Sequence, residues 1–388
     1  MDPYLGNPRD SQDQSRSSQK SLPTDSETLH ETTDLDQPAT ELKEEDDVPP
    51  DGGWGWVCVA AVFWINAHTW GINSSYGIFL ASYLADNSFP GSTYLEFALI
   101  GGLSISQALM ISPLSTFVTR TYGTRTTLLI GVFFETLSLV GASFATRIWQ
   151  LFLSQGICFG WGMGFLFVGS VGVVPQWFLK RRSMANGIAT GGSGIGGIIY
   201  SLGTNAMIQN LSLAWAFRIL AILQFTVNLT CALLIKDRNK QIGTSNVPFD
   251  YRLFKRLEFL LMLGWGFFSM LGYIVLLFSL PNYALSVGLT AEQGSVIAAV
   301  LNLGQGLGRP LIGYFSDAAG RINIAGLLTF LCGLFCFVIW IFAKNYGVLI
   351  FFALIVGPVA GTFWAVSDLV SLCPGGCPLL TLHRPLVP

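Results

Sequence analysis

The stretch PPDGGWGW, residues 49–56, divides the chain into two parts of different character. The preceding residues 1–48 are mostly polar, and long apolar segments follow to about residue 370. Prolines and glycines at this position interrupt regular structure. Trp54 and Trp56 are amphipathic rings of the kind that settle at a membrane–water interface. The stretch therefore predicts a loop that leads into a first membrane helix.

The composition indicates a helical membrane protein that spans the bilayer several times. Of 388 residues, 51% are apolar and 11% are charged, whereas a soluble domain carries about 25% charged residues. Residues 1–50 hold 13 acidic and 4 basic residues, a net charge of −9, and the remainder has a net charge of +7. This acidic segment has too few large apolar residues to bury a core. We expect a disordered cytosolic tail there and no partner nucleic acid.

Ten segments are long and apolar enough to cross a bilayer, which requires about 20 residues each. The fold class is therefore all-α, a polytopic membrane bundle. The ten segments are 57–80, 95–118, 125–146, 148–173, 184–207, 213–235, 257–280, 289–315, 322–343 and 346–370.

These segments fall into groups separated by a basic stretch. After the tail 1–50, residues 51–235 contain six segments and residues 257–370 contain four, with the basic linker 236–256 between them. Residues 371–388 are an atypical tail that is rich in proline.

Basic residues between the segments predict the orientation. With a cytosolic N-terminus, the cytosolic loops carry twelve Lys or Arg, and the opposite loops carry Arg147 and Lys344. Because cytosolic loops are enriched in Lys and Arg, we expect the N-terminus in the cytosol. The chain begins without a basic and then apolar signal sequence. We expect a multi-pass protein of the plasma membrane, with an organelle membrane as the alternative.

Three stretches resemble a known family. They are DGGWGW (51–56), PQWFLKRRSMANGIATGGSGIGG (175–197) and GYFSDAAGR (313–321). Together they are similar to the monocarboxylate transporter family, a branch of the major facilitator superfamily. The resemblance implies twelve helices in two related halves and secondary transport by alternating access. It also implies that Asp317 and Arg321 belong to a conformational loop, although at this spacing they could form a helix-end ion pair of small value.

The resemblance ends abruptly after about Leu369. There the chain continues as SLCPGGCPLLTLHRPLVP, in which prolines and the absence of a 20-residue apolar run exclude two further helices. The family has twelve helices, so we expect a truncated or mis-spliced product, or an incorrect gene model.

The eighth segment carries the candidate substrate site. Asn302, Gln305 and Arg309 lie three and four residues apart, which places them on one helix face. A guanidinium at membrane depth can hold an organic anion through paired hydrogen bonds. The related lactate carriers have an Asp at the position of Gln305 and a Lys at the position of Ser74. Both departures argue against simple lactate–proton symport.

Polar residues of the first and third segments complete the candidates. Asn66 and Asn73, with Thr69 and Tyr76, share one face of the first segment, and we expect the two asparagines to line the transport pathway. His68 lies off that face and serves either a structural role or proton coupling.

Glu135 is the acidic residue nearest the middle of a segment. Because burial favours the neutral form of a carboxyl group, it is the best candidate for proton coupling. The alternative is a static ion pair with Arg309 or Arg218.

We therefore predict a secondary active transporter of a small organic solute, monocarboxylate-like, with protons as a possible second partner. Export of a secondary metabolite and import of a vitamin-like compound are alternatives. A non-transporting sensor or an inactive truncated product is the alternative of another class. Glycine clusters such as GGSGIGG (191–197) follow no β-strand, so we expect helix packing there and no bound nucleotide. We expect no cofactor, no metal and no enzymatic activity.

Overall fold

The computed structural model describes residues 49–85, 89–238 and 254–361, and this part of the chain is helical with no strands. The predicted all-α fold is confirmed over these residues. The helices are α1 (Trp54–Ser74), α2 (Tyr76–Ala85), α3 (Tyr94–Met110), α4 (Ser112–Tyr122), α5 (Thr124–Ser143), α6 (Ile148–Leu151), α7 (Phe159–Val171), α8 (Arg182–Asn210), α9 (Leu213–Leu234), α10 (Leu257–Ser286), α11 (Ala291–Ala319), α12 (Arg321–Val338) and α13 (Tyr346–Val359).

Short irregular pieces join some of these helices. A π-helical segment, Phe152–Cys158, connects α6 to α7, and 3₁₀ turns occupy Val174–Gln176 and Trp340–Phe342. The predicted tail 1–50, except for its last two residues, lies outside the described residues. The predicted tail 371–388 and most of the predicted linker 236–256 lie outside them as well.

Two predicted segments are helix pairs. The segment 95–118 bends by 42° between α3 and α4, because Pro113 in the first turn of α4 cannot donate a backbone hydrogen bond. The segment 57–80 breaks at Ser75, between α1 and α2. There the hydroxyl groups of Ser74 and Ser75 donate to the carbonyl oxygens of Gly71 and Ile72, at 2.8 and 2.7 Å, and such back-bonding bends helices.

Length and hydropathy identify five helical stretches in the described chain that could cross a membrane, or six if the bent pair α3–α4 is one span. Helices α1, α8 and α11 are not among them, because polar residues and glycines lower their hydropathy. These same three helices pack together, with α8 in more extensive contact with α1 and α11 than any other pair. These three helices therefore place much of their surface against one another.

Glycines of α8 allow this close packing, as the sequence predicts. A Cβ atom on Gly192 would overlap the carbonyl oxygen of Phe63 in α1, and one on Gly194 would overlap the backbone of Asn302 and Gly306 in α11. The predicted glycine cluster is thus a contact surface on both sides of α8.

The stretch PPDGGWGW fastens the start of α1 to the loop before α8. Asp51 Oδ1 accepts hydrogen bonds from the backbone N–H groups of Leu179 and Lys180, at 2.7 and 3.0 Å. The ring of Trp56 packs edge-on against Phe178, with a centroid distance of 4.9 Å. We call this end of the bundle the Asp51 end.

Loss of the Asp51 side chain is expected to destabilise the protein. Asp51→Ala removes two hydrogen bonds to a charged acceptor, each worth about 1.5–3 kcal/mol when intact, and partial exposure to water reduces that sum. We expect an unfolding free energy lower by about 2 kcal/mol, measured as a lower melting temperature in detergent.

The matched control is Glu292→Ala, which removes an exposed acid at the start of α11. It should leave the melting temperature nearly unchanged. Equal melting temperatures for the two variants would contradict the role assigned to Asp51.

Candidate functional site

A small cavity, with about 30 Å³ open to water-sized molecules, lies where α1, α8, α10 and α11 meet. All five residues predicted to bind substrate line it, although they come from two distant segments: Asn66, Asn73, Asn302, Gln305 and Arg309. Six further lining residues matter to its chemistry: Trp70, Ser74, Phe167, Thr190, Ser193 and Tyr273.

Arg309 enters the cavity from the middle of α11 and is bound by neutral acceptors. Its Nη1 donates to the carbonyl oxygen of Thr190, at 2.8 Å, and to Ser193 Oγ. Its Nη2 donates to Gln305 Oε1, at 3.1 Å, and its Nε has no acceptor among the described residues. The alternative of an ion pair with Glu135 is therefore wrong, because that carboxylate binds other partners.

Gln305 leaves a second donor unsatisfied. Its Oε1 accepts from Arg309 and from the hydroxyl group of Tyr273, at 2.9 Å. Its Nε2 has no acceptor within the described part of the chain. Buried donors without acceptors are costly. Two residues that line the cavity therefore each carry an unsatisfied buried donor, one of them on a cation.

The asparagines of α1 line the same cavity and are already hydrogen bonded. Asn66 Nδ2 donates to the carbonyl oxygens of Val62 and Ala189, at 3.0 and 3.1 Å, and thereby joins α1 to α8. Asn73 Oδ1 accepts from Ser104 Oγ at 3.0 Å. The two asparagines therefore hold neighbouring helices together at the cavity wall as well as lining the cavity.

The predicted polar face of α1 differs in its other members. Thr69 is fully buried and donates back to the carbonyl oxygen of Ile65. Tyr76, beyond the break at Ser75, donates to the carbonyl oxygen of Phe97 at 2.7 Å. Neither residue lines the cavity.

An aromatic and aliphatic wall faces part of the cavity. Trp70 and Phe167 pack edge-on, with a centroid distance of 5.6 Å. Ile105 and Leu277 continue this apolar surface. A cavity that combines a guanidinium with an apolar wall can bind a solute that has one acidic group and a hydrophobic body.

Glu135 lies outside the cavity, fully buried between α5 and α9. Its Oε2 accepts from Gln224 Nε2 and Asn228 Nδ2, at 2.8 and 3.1 Å. Arg218, its other proposed partner, donates to Ser143 Oγ at 3.5 Å and stacks on aromatic rings. The proposed ion pair of Glu135 and Arg218 is wrong as well, because carboxamides of α9 hold the carboxylate.

His68 is also buried and outside the cavity. Its Nδ1 lies 2.8 Å from the carbonyl oxygen of Trp64, and its ring packs edge-on against Tyr200 at 5.5 Å. This is the environment of a structural histidine at the α1–α8 contact.

Asp317 binds the beginning of α8. Its Oδ1 and Oδ2 accept from the backbone N–H groups of Ser183 and Met184, at 3.1 and 2.9 Å. The first amides of a helix carry a partial positive charge and lack partners within the helix. The carboxylate of α11 therefore caps α8. Arg321 begins α12, and its side chain lies outside the described residues.

Several partners of these side chains were missed in the sequence. Thr190 and Ser193 lie within a glycine-rich stretch that indicates packing, and Tyr273 lies in an otherwise apolar segment. A usable signal existed for Gln224 and Asn228, which are two carboxamides one helical turn apart in an apolar segment.

A family model described as Major Facilitator Superfamily matches residues 55–372. Over 332 residues the chain is 34% identical to "Probable transporter MCH2" of Saccharomyces cerevisiae, covering 84% of this chain and 70% of that protein. It is 27% identical over 344 residues to "Monocarboxylate transporter 10" of Mus musculus, covering 83% and 67%. It is 28% identical over 338 residues to "Fujikurins efflux protein" of Gibberella fujikuroi, covering 85% and 71%.

Proposed function

Because the chain belongs to the Major Facilitator Superfamily and is a multi-pass membrane transporter, we propose that it moves a small organic anion or weak acid by alternating access. The solute binds in the cavity at Arg309. The protein lies in the plasma membrane with a cytosolic N-terminus, in keeping with the basic residues at the Asp51 end.

The observation that carries this proposal is that Arg309 makes no ion pair among the described residues. Charged side chains within a membrane protein are costly and usually pair with an opposite charge. The hydrogen bonds of Arg309 go to Thr190, Ser193 and Gln305, all neutral. A carboxylate in the cavity would supply the missing charge and accept from both unsatisfied donors, Arg309 Nε and Gln305 Nε2.

The lining of the same cavity argues for a solute with more apolar surface than lactate. Ser74 and Gln305 stand where the lactate carriers have a lysine and an aspartate, so one cation remains and its acidic partner is absent. The wall at Trp70 and Phe167 offers apolar area to the body of the solute. We propose a monocarboxylate-like solute with a hydrophobic or aromatic body.

Loss of the guanidinium is expected to remove most of the transport. In Arg309→Gln the carboxylate loses its charge partner, and truncating one member of a buried charge pair costs about 2–5 kcal/mol. We expect transport efficiency to fall by about 30-fold or more. The measurement is uptake and efflux of labelled carboxylates and heterocycles, at two pH values, by purified protein in liposomes.

Arg218→Gln is the matched control, since Arg218 contacts Ser143 and lies outside the cavity. It should retain most of the flux. Equal flux for wild type and Arg309→Gln across the panel would contradict the binding assignment. Absence of flux for every solute would favour a non-transporting sensor.

A second candidate is export of a secondary metabolite. It is favoured by the similarity to a relative named as an efflux protein. Import of a vitamin-like compound uses the same cavity in the opposite direction. The direction of net flux in oriented vesicles separates these possibilities.

A further inference from the structure

A second buried polar site lies between α5 and α9, apart from the solute cavity. One oxygen of its acid, Glu135 Oε2, accepts from Gln224 and Asn228. Gln224 is itself fixed, because its Oε1 accepts from the hydroxyl group of Thr136 at 3.0 Å. Two oxygens of the site, Glu135 Oε1 and Asn228 Oδ1, have no donor among the described residues.

Each of the two unsatisfied oxygens lacks a hydrogen-bond donor. An ionised carboxylate and a carboxamide oxygen can only accept hydrogen bonds, so they cannot bond to each other without a proton. A proton on Glu135 Oε1 makes that oxygen a donor. The carboxamide of Asn228 already donates to Oε2. One proton would therefore close a ring of two hydrogen bonds between the carboxyl and carboxamide groups and satisfy both oxygens.

We propose that Glu135 is a proton-binding site, and that it is protonated in this conformation and paired with Asn228 through two hydrogen bonds. The proton comes from hydronium: one of its O–H bonds breaks, an O–H bond forms at Oε1, and a water molecule is released. The proton leaves for water when α5 and α9 separate at this point. The use of this proton in transport rests on the proposed function, whereas its presence does not.

The surroundings of Glu135 favour the neutral form. Helix α9 presents the neutral carboxamides, and Gly162 of α7 packs against the Glu135 backbone. The titratable neighbours are Tyr200 of α8, which is within electrostatic range, and Cys158, whose Sγ donates to the carbonyl oxygen of Phe134. Glu135 makes no ion pair within the described chain. An ionised form would leave a buried, charged oxygen without a donor, which is costly.

Helix α8 connects the proton site to the solute site. Its Tyr200 lies within electrostatic range of Glu135, and its Ser193, seven residues earlier, accepts a hydrogen bond from Arg309. Seven residues of helix span about 10 Å. Movement of α8 is therefore able to link loss of the proton at one site with a change at the other.

The decisive experiment is a pH titration of purified protein by infrared difference spectroscopy, which needs no solute. A protonated carboxyl group has a carbonyl stretch that a carboxylate lacks. We expect one such band at neutral pH, lost in Glu135→Gln and retained in Glu292→Gln, an exposed control. A wild-type protein without this band, or a band that persists in Glu135→Gln, would overturn the proposal.

Asn228→Ala provides an independent variant should Glu135→Gln fail to fold. It keeps the carboxyl group and removes its partner, so the band should move to higher frequency as the carbonyl loses a donor. An unmoved band would exclude the pairing with Asn228.

A transport measurement tests the use of the proton. Flux by the wild type is expected to rise with an imposed pH gradient, and Glu135→Gln should lose this stimulation. Stimulation that survives in Glu135→Gln would remove the proton from the transport cycle. If no solute is transported by any form, the proposed function fails and the infrared result still decides the proton site.

Discussion

Replacing Gly192 by alanine is expected to destabilise the protein by about 3 kcal/mol or more, at the upper end of the cost of overpacking. The added Cβ would overlap the carbonyl oxygen of Phe63 in α1. That obstacle is backbone within a helix, so it cannot move aside as a flexible side chain can. Relief requires α1 and α8 to separate, which also disturbs the hydrogen bond from Asn66 to Ala189. Leucine at this position should prevent folding.

Gly203 supplies a control in the same helix. No atom lies within 4 Å of a Cβ placed there, and alanine is a better helix former than glycine by about 1 kcal/mol. Gly203→Ala should therefore be neutral or slightly stabilising. Thermal unfolding in detergent, followed by the fraction that remains monodisperse, measures both variants. If Gly192→Ala lowers the melting temperature no more than Gly203→Ala does, the α1–α8 contact accommodates the added methyl group more easily than its geometry indicates.

The sequence predicts where the helices are better than how they are interrupted. Long apolar segments are recognisable because a helix that crosses the bilayer requires them. Pro113 is a sequence signal for the bend between α3 and α4. The break at Ser75 has no comparable signal. It coincides with two serine hydroxyl groups that donate hydrogen bonds to the preceding turn.

The candidate site likewise has residues that the sequence predicts and contacts that it does not. Asn302, Gln305 and Arg309 could be found because helical periodicity alone places them on one face. The partners of Arg309 could not, since Ser193 is 116 residues away along the chain. The opposite charges of Glu135 and Arg309 made an ion pair between them a reasonable prediction, but the two side chains bind different partners. The spacing of residues within a helix does not reveal which helices pack together.

Close contacts between α8 and α11 extend from the Asp51 end to the middle of both helices. Overlaps of added Cβ atoms with the partner backbone occur at Gly187 and Gly194 of α8, and at Gly313 near the end of α11. Asp317 then caps α8 beyond the last of these glycines. The two helices are close over this stretch, and the charged cap adds a directional hydrogen-bonded contact to a surface otherwise made by small residues.

Asp317→Ala is expected to open the Asp51 end. The variant removes two hydrogen bonds to a charged acceptor and its favourable interaction with the helix dipole. Water compensates part of this loss, so we expect a change of about 2 kcal/mol, or about 30-fold in the equilibrium between closed and open forms. The reporter is a cysteine at Ile274, an apolar lining residue, in a background whose native cysteines are replaced by serine. A membrane-impermeant thiol reagent added from the Asp51 end should label it faster in the variant.

Two comparisons make this result specific to the cap. The control is Asp237→Ala, which removes another acid at the same end. Asp237 accepts a hydrogen bond from the backbone N–H of Thr124, at 3.3 Å, and this bond does not involve α11. The variant should therefore leave the labelling rate unchanged. Labelling from the opposite side should become slower in Asp317→Ala, because opening one end at the expense of the other is what alternating access requires. Faster labelling from both sides would instead indicate a loosened bundle. An unchanged rate from the Asp51 end would mean that the packed glycines alone hold α8 against α11.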